Sequence, residues 1–205
     1  ADGTWIEGSR FEYVSFKDVQ NPITSGTNGQ WYFVADSSLK FGECSSSGIL
    51  VRCDITNALP NGTVTIIDST IHDLYLAIIF SGTIKNSSIS SIWAPTSFSG
   101  TFTNVLVDTA HRIGFGGTLN GVTVRNAETL SLSGTITASR FENISQTVHF
   151  YSMETTVTSS AFLNNGSLLS DVSWSPSSPS INLRGNYFGS AATEEMNAQG
   201  TATNK

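Results

Sequence analysis

Asp108, Arg125 and Glu142 follow one another at intervals of 17 residues, an acid, a base and an acid in three successive copies of one phrase. If those copies stack in register, neighbours lie about 5 Å apart and the two carboxylates roughly 10 Å apart. Near that separation one carboxyl can protonate a leaving oxygen while the other activates a water. The pattern therefore suits an inverting glycosidase or a uronate lyase. The plainer reading is an ion-pair ladder that holds register on a sheet surface, because a neighbouring arginine favours the ionised carboxylate over the acid. His111 and Glu128, again 17 residues apart, repeat the theme as a base with its orienting carboxylate or as a surface contact. With Arg112 and Arg140 close by in sequence, residues 101–150 hold the chain's best cluster of candidate catalytic groups.

The aromatics offer a different chemistry. Trp174 lies in "NNGSLLSDVSWSPSSPS", residues 164–180, the longest excursion from the repeat. Trp93 interrupts "SSIWAPTSF", Trp31 and Tyr32 close the loop "NPITSGTNGQ", and Tyr151 follows His149 in "VHFYSM". Exposed aromatics beside polar groups are stacking platforms for sugars, and loops on a rigid scaffold commonly carry binding. The alternative for each is a ring folded over a coil edge. Acids elsewhere (Asp36, Asp54, Asp68, Asp73) fall about one per repeat, so no metal site is expected, and no sequence feature calls for a cofactor. His72 and Asp73 read as solvated residues at a coil corner.

What would position these groups is the repetition itself. "SGTIKNSSISSI" at residues 81–92 returns as "SGTFTNVLVDTA", "GGTLNGVTVRNA" and "SGTITASRFENI". Aligned copies start at Arg10, Phe33, Ile49, Thr65, Thr83, Thr101, Thr118, Thr135, Thr156 and Ser180, spaced by 16 to 24 residues. Such a period marks a solenoid, whose turns bury their faces only against neighbours. Position two is apolar throughout, and position seven is apolar until Asn186 breaks it. Position ten is mostly small or aliphatic, and a further apolar column (Phe80, Phe98, Phe115, Leu132) stands two residues before each "GT". Position five is small, reading Ser37, Cys53, Ser69, Ser87, Ser139 and Ser160 with valines between. It reads as an interior stack, which favours a free core thiol at Cys53 over a Cys44–Cys53 disulfide. Position nine collects Asn and Asp, which tolerate the left-handed backbone of a sharp corner.

These columns predict an all-β chain, a single-stranded parallel β-helix of about ten coils. At this point the sequence resembles the right-handed parallel β-helix repeats of the pectate-lyase-like superfamily. The "TIxNSxIxxI" phrase and the closing "INLRGNYFGS", similar to the N-Y-W-G ending of bacterial and archaeal surface β-helix proteins, carry the resemblance over about residues 9–190. Irregular spacing and the corner asparagines disfavour the left-handed hexapeptide alternative. The resemblance implies the fold; that superfamily spans lyases, hydrolases, adhesins and tailspikes, and none of its catalytic motifs matches here residue by residue. Residues 1–190 are expected to form the solenoid and 191–205 a polar tail or partial cap. Neither end reads as a full cap, so a longer chain or a partner is expected to cover the open edges.

Composition narrows the function. With 13% charged residues and a net charge of −6, ten basic residues and no basic run, the chain carries no nucleic-acid footprint. No apolar stretch approaches a membrane span, and "ADGTWIEGSR" is not a signal peptide, so a leader is expected to have been removed or the domain excised. Sequons at Asn61, Asn86, Asn143 and Asn165 point to export only in a glycosylating host. Threonines at position one, with Thr103, Thr137 and Thr158 two places on, form an outward array of the kind that suits ice. Ile67, Lys85 and Asn120 interrupt its second column, and β-propensity accounts for threonine there. The expectation is an extracellular or cell-surface domain whose partner is a polysaccharide or surface glycan. The alternatives are a polysaccharide lyase or hydrolase working through the 101–150 cluster and a structural shaft of an adhesin or tailspike.

Overall fold

The structure, a computed structural model, describes residues 9–12, 15–16, 32–40, 43–44, 48–57, 59–60, 62–76, 80–150, 155–168, 183 and 185–189. Short strands joined by turns, bends and irregular connections make up these residues, with no helix among them, and they wind into a right-handed parallel β-solenoid. One sheet stacks nine short strands, from Ser9–Glu12 through Thr83–Lys85 to Thr156–Thr158. A twelve-stranded sheet holds the second half of each turn. Its central strands, Ser88–Phe98, Leu106–Phe115 and Thr123–Leu132, are long enough to bend into a third face. Nine of the expected coil starts pair directly, Arg10 with Phe33 and onward to Thr135 with Thr156. The tenth, Ser180, lies outside the described residues, as does the 191–205 tail.

Inside the rod the apolar columns stack like on like. Leu50, Ile66, Ile84, Phe102, Leu119 and Ile136 at position two are no more than 1% exposed. Position seven supplies Ile55, Ile71, Val107, Val124 and Phe141, all fully buried. The expected break at Asn186 does not occur, because Phe188 pairs with Phe162 and fills position seven of the last coil. The extra length of that coil hid the match.

The corner also differs from expectation. Left-handed backbone falls at position four in eight successive coils, at Asp36, Arg52, Asp68, Asn86, Asn104, Gly121, Ala138 and Ser159. Position nine is left-handed only at Asn57, Asn143 and Asn164 among the described residues. At Asp73, Ser91, Thr109 and Asn126 the strand runs on, because the longer strands turn by placing two successive side chains outward instead. His72 and Asp73 are one such outward pair, at a corner that the strand Thr70–Tyr75 runs through. Side chains at position four form their own ladder: Asn104 Nδ2 donates to Asn86 Oδ1, and Asn86 Nδ2 to Asp68 Oδ1. One end of the corner column carries a bidentate Arg52–Asp36 pair, and Arg52 holds the Asp36 carboxyl below its ordinary value.

A left-handed residue at position four turns the next N–H into the rod, where it needs a partner. Where the next coil carries serine at position five, its hydroxyl provides one; Val105 and Val122 interrupt the column. Each serine hydroxyl donates to the carbonyl two residues back, as Ser69 Oγ does to Ile67 O at 2.7 Å. It also accepts the N–H of the preceding coil: Cys53 N to Ser69 Oγ is 3.0 Å, Ser69 N to Ser87 Oγ 3.1 Å and Ser139 N to Ser160 Oγ 3.1 Å. Asn186 ends the column, accepting Ser160 N through Oδ1 at 2.8 Å and donating to Val157 O and Leu183 O. The small interior column is thus a polar relay, and Asn186 belongs to it.

Cys53 stands in this relay as a free, buried thiol, and burial pushes it above its ordinary value. Its Sγ lies 3.4 Å from Val51 O, the contact a serine makes elsewhere in the column. Cys53→Ser is expected to move stability by less than about 1 kcal/mol, whereas Ser69→Ala, which orphans the buried Cys53 N–H, costs about 2 kcal/mol. Urea unfolding of the two variants side by side checks the difference.

Candidate functional site

The position-eight charges stand on one outward line of the larger sheet, because Val107 pairs with Val124 and Val124 with Phe141. Arg125 Nη1 lies 3.5 Å from Asp108 Oδ1, with both side chains more than half exposed. Glu142 takes a different partner, Arg140, two places earlier on its own strand. The column therefore divides into two ion pairs, Asp108–Arg125 and Arg140–Glu142. His111 and Glu128 lie on a separate line at position eleven, with Nδ1 and Oε1 3.9 Å apart. The six candidate catalytic residues share one stretch of the rod but not one converging set.

The position-eleven line holds more than sequence reading assigned to it. Tyr75 pairs in register with Trp93, and the rings meet edge to face with centroids 6.0 Å apart and an interplanar angle of 66°. Both are exposed, at 43% and 42%. Ile92 then pairs with Ala110 but Ala94 with Ile113, so Trp93 alone faces both His111 and Arg112. Two residues against one is a β-bulge, a device that re-aims side chains. A second shift, between Ala127–Ile144 and Thr129–Thr147, sets Glu128 opposite Ser145 and Gln146. Thr129 Oγ1 reaches Gln146 Oε1 at 3.3 Å. The result is a line along the rod axis reading Tyr75, Trp93, His111 with Arg112, Glu128 with Thr129, and Gln146, one step of about 4.8 Å per coil. Arg112 is exposed and, among the described residues, makes no ion pair.

Tyr75 and Gln146 were not among the expected site residues, and Arg112 was expected only as a neighbour of the 101–150 charges. The signal for Tyr75 was present, since it precedes Trp93 by 18 residues, one coil. The bulges that gather Arg112 and Gln146 leave no mark in the spacing. Of the other aromatics, Tyr32 lies in the strand Tyr32–Ala35, while Trp31, Trp174 and Tyr151 fall outside the described residues. His72 Nε2 meets Asp54 Oδ1 at 2.7 Å across one coil step. No group of three or more His, Cys, Asp or Glu side chains among the described residues is arranged to hold a metal ion.

Fold and site together define the class, a parallel β-solenoid repeat protein carrying an aromatic and polar line along one edge of its third face. Comparison with known proteins finds no family model, no curated protein and no solved structure that matches this chain.

Proposed function

We propose that the chain is a surface or secreted β-solenoid that binds glycans along the line from Tyr75 to Gln146. The observation that carries this reading is the exposed Tyr75–Trp93 pair, set directly beside hydrogen-bonding and charged side chains. Sugar rings present C–H faces that stack on aromatic rings and hydroxyls that bond amides, carboxylates and guanidinium groups. A site stepped by coil suits a linear chain lying along the rod. Ordinary proteins rarely leave paired large aromatics in solvent without a partner for them. The closing "INLRGNYFGS", with its likeness to surface β-helix endings, supports display outside the cell.

Binding is expected to reside in the aromatic pair. Trp93→Ala weakens retardation in a polysaccharide affinity gel by about 2 kcal/mol, as loss of a central aromatic anchor does. Asp108→Asn, on the neighbouring line, leaves retardation unchanged. Equal retardation of Trp93→Ala and the unsubstituted protein, across acidic and neutral polysaccharides, would refute the assignment.

A further inference from the structure

The nine-stranded sheet presents a second surface of a different kind, and we infer that it binds ice. From Thr65 to Thr158 its outward positions one and three carry nine threonines and a single charge, Lys85. Three rungs are complete Thr-x-Thr pairs: Thr101 with Thr103, Thr135 with Thr137 and Thr156 with Thr158. The pairing of these strands runs without one register shift, whereas the larger sheet carries several. Bulges twist a sheet, so their absence keeps this face regular.

No hydroxyl in these two columns bonds to the protein. Threonine is stiff at χ1, so each hydroxyl and methyl is held at a repeated orientation and not averaged over rotamers. The lattice has a step of about 4.8 Å between coils and about 6.6 Å between columns. The first is close to the spacing of oxygen rows on a prism face of ice. Water bonded to such hydroxyls and caged by the methyls is already arranged as the crystal would arrange it, so joining the ice front costs little further ordering. A short sugar or peptide would span only one or two rungs of that two-dimensional lattice. Ile67, Lys85 and Asn120 limit the perfect lattice to part of the face, which predicts shaping and recrystallisation inhibition in place of a large freezing-point gap.

The test is partition of the full chain into a slowly grown ice hemisphere, beside serum albumin and two variants. The chain is expected to enter ice about tenfold more than albumin, a difference of 1.4 kcal/mol. Thr118→Tyr, which raises a ring from the middle of the face, is expected to lower partition to the albumin level. Thr70→Tyr, on the outward face of the other sheet, leaves it unchanged; circular dichroism of both variants confirms that each remains folded. Partition of the unsubstituted chain at the albumin level, or an equal loss in both variants, would overturn the inference. The outcome is independent of glycan binding, which is read on another face.

Discussion

Gly117→Ala will cost about 3 kcal/mol, at the upper end for a methyl group forced into a packed interior. A Cβ at Gly117 would lie 1.9 Å from Gly100 O and 2.7 Å from Ser99 C. Both neighbours are backbone of the coil below, so no rotamer change relieves the contact and the coils must part. Parting them strains the bond from Thr118 N to Gly100 O, now 3.1 Å, and the stack on either side of it. Gly82 and Gly134 meet the same kind of carbonyl, which explains why "GT" recurs in the sequence. Gly189→Ala is the control: nothing lies within 4 Å of a Cβ there, and the change is expected to stay within about 0.5 kcal/mol. Urea midpoints of the pair check this, read as differences because a solenoid need not unfold in one step.

Phe141→Ala will cost more, about 4 kcal/mol. Phe141 is fully buried and stacks on Phe162 with centroids 5.0 Å apart, and Phe162 stacks on Phe188 at the same distance. Removing the first ring leaves a cavity and strips the pile of one stacked pair. Phe141→Leu keeps most of the volume and is expected to lose much less. Hydrogen exchange adds the spatial prediction. Because each coil leans only on its neighbours, protection should fall from residue 140 to 163 and persist in coils 83–110. Uniform loss of protection along the rod would contradict the nearest-neighbour account.

The columns were legible because a solenoid writes its contacts into sequence at a fixed period. Val34, Leu50, Ile66 and Ile84 stack in space as they recur in the chain, and so do the first-position threonines. The left-handed corner was misplaced because position four holds no single residue type. Arg52, Ala138 and Ser159 adopt it beside the asparagines, held there by bonds between coils that override local preference. Asn186 looked like a failed apolar position because the last coil is longer, and only pairing of Phe188 with Phe162 restores the register. The charged ladder was visible as spacing, but its division into two pairs follows from Arg140 and Glu142 sharing one strand. The aromatic line was half visible, in Trp93, His111 and Glu128, and was completed by bulges that no count of residues could place.

Retardation and product release on one polysaccharide panel, measured together for the unsubstituted chain, test the central claim most directly. The account predicts retardation by at least one glycan with no new reducing or unsaturated ends. Release of product, lost in Asp108→Asn or Glu142→Gln, would contradict it and make the charged ladder an active site.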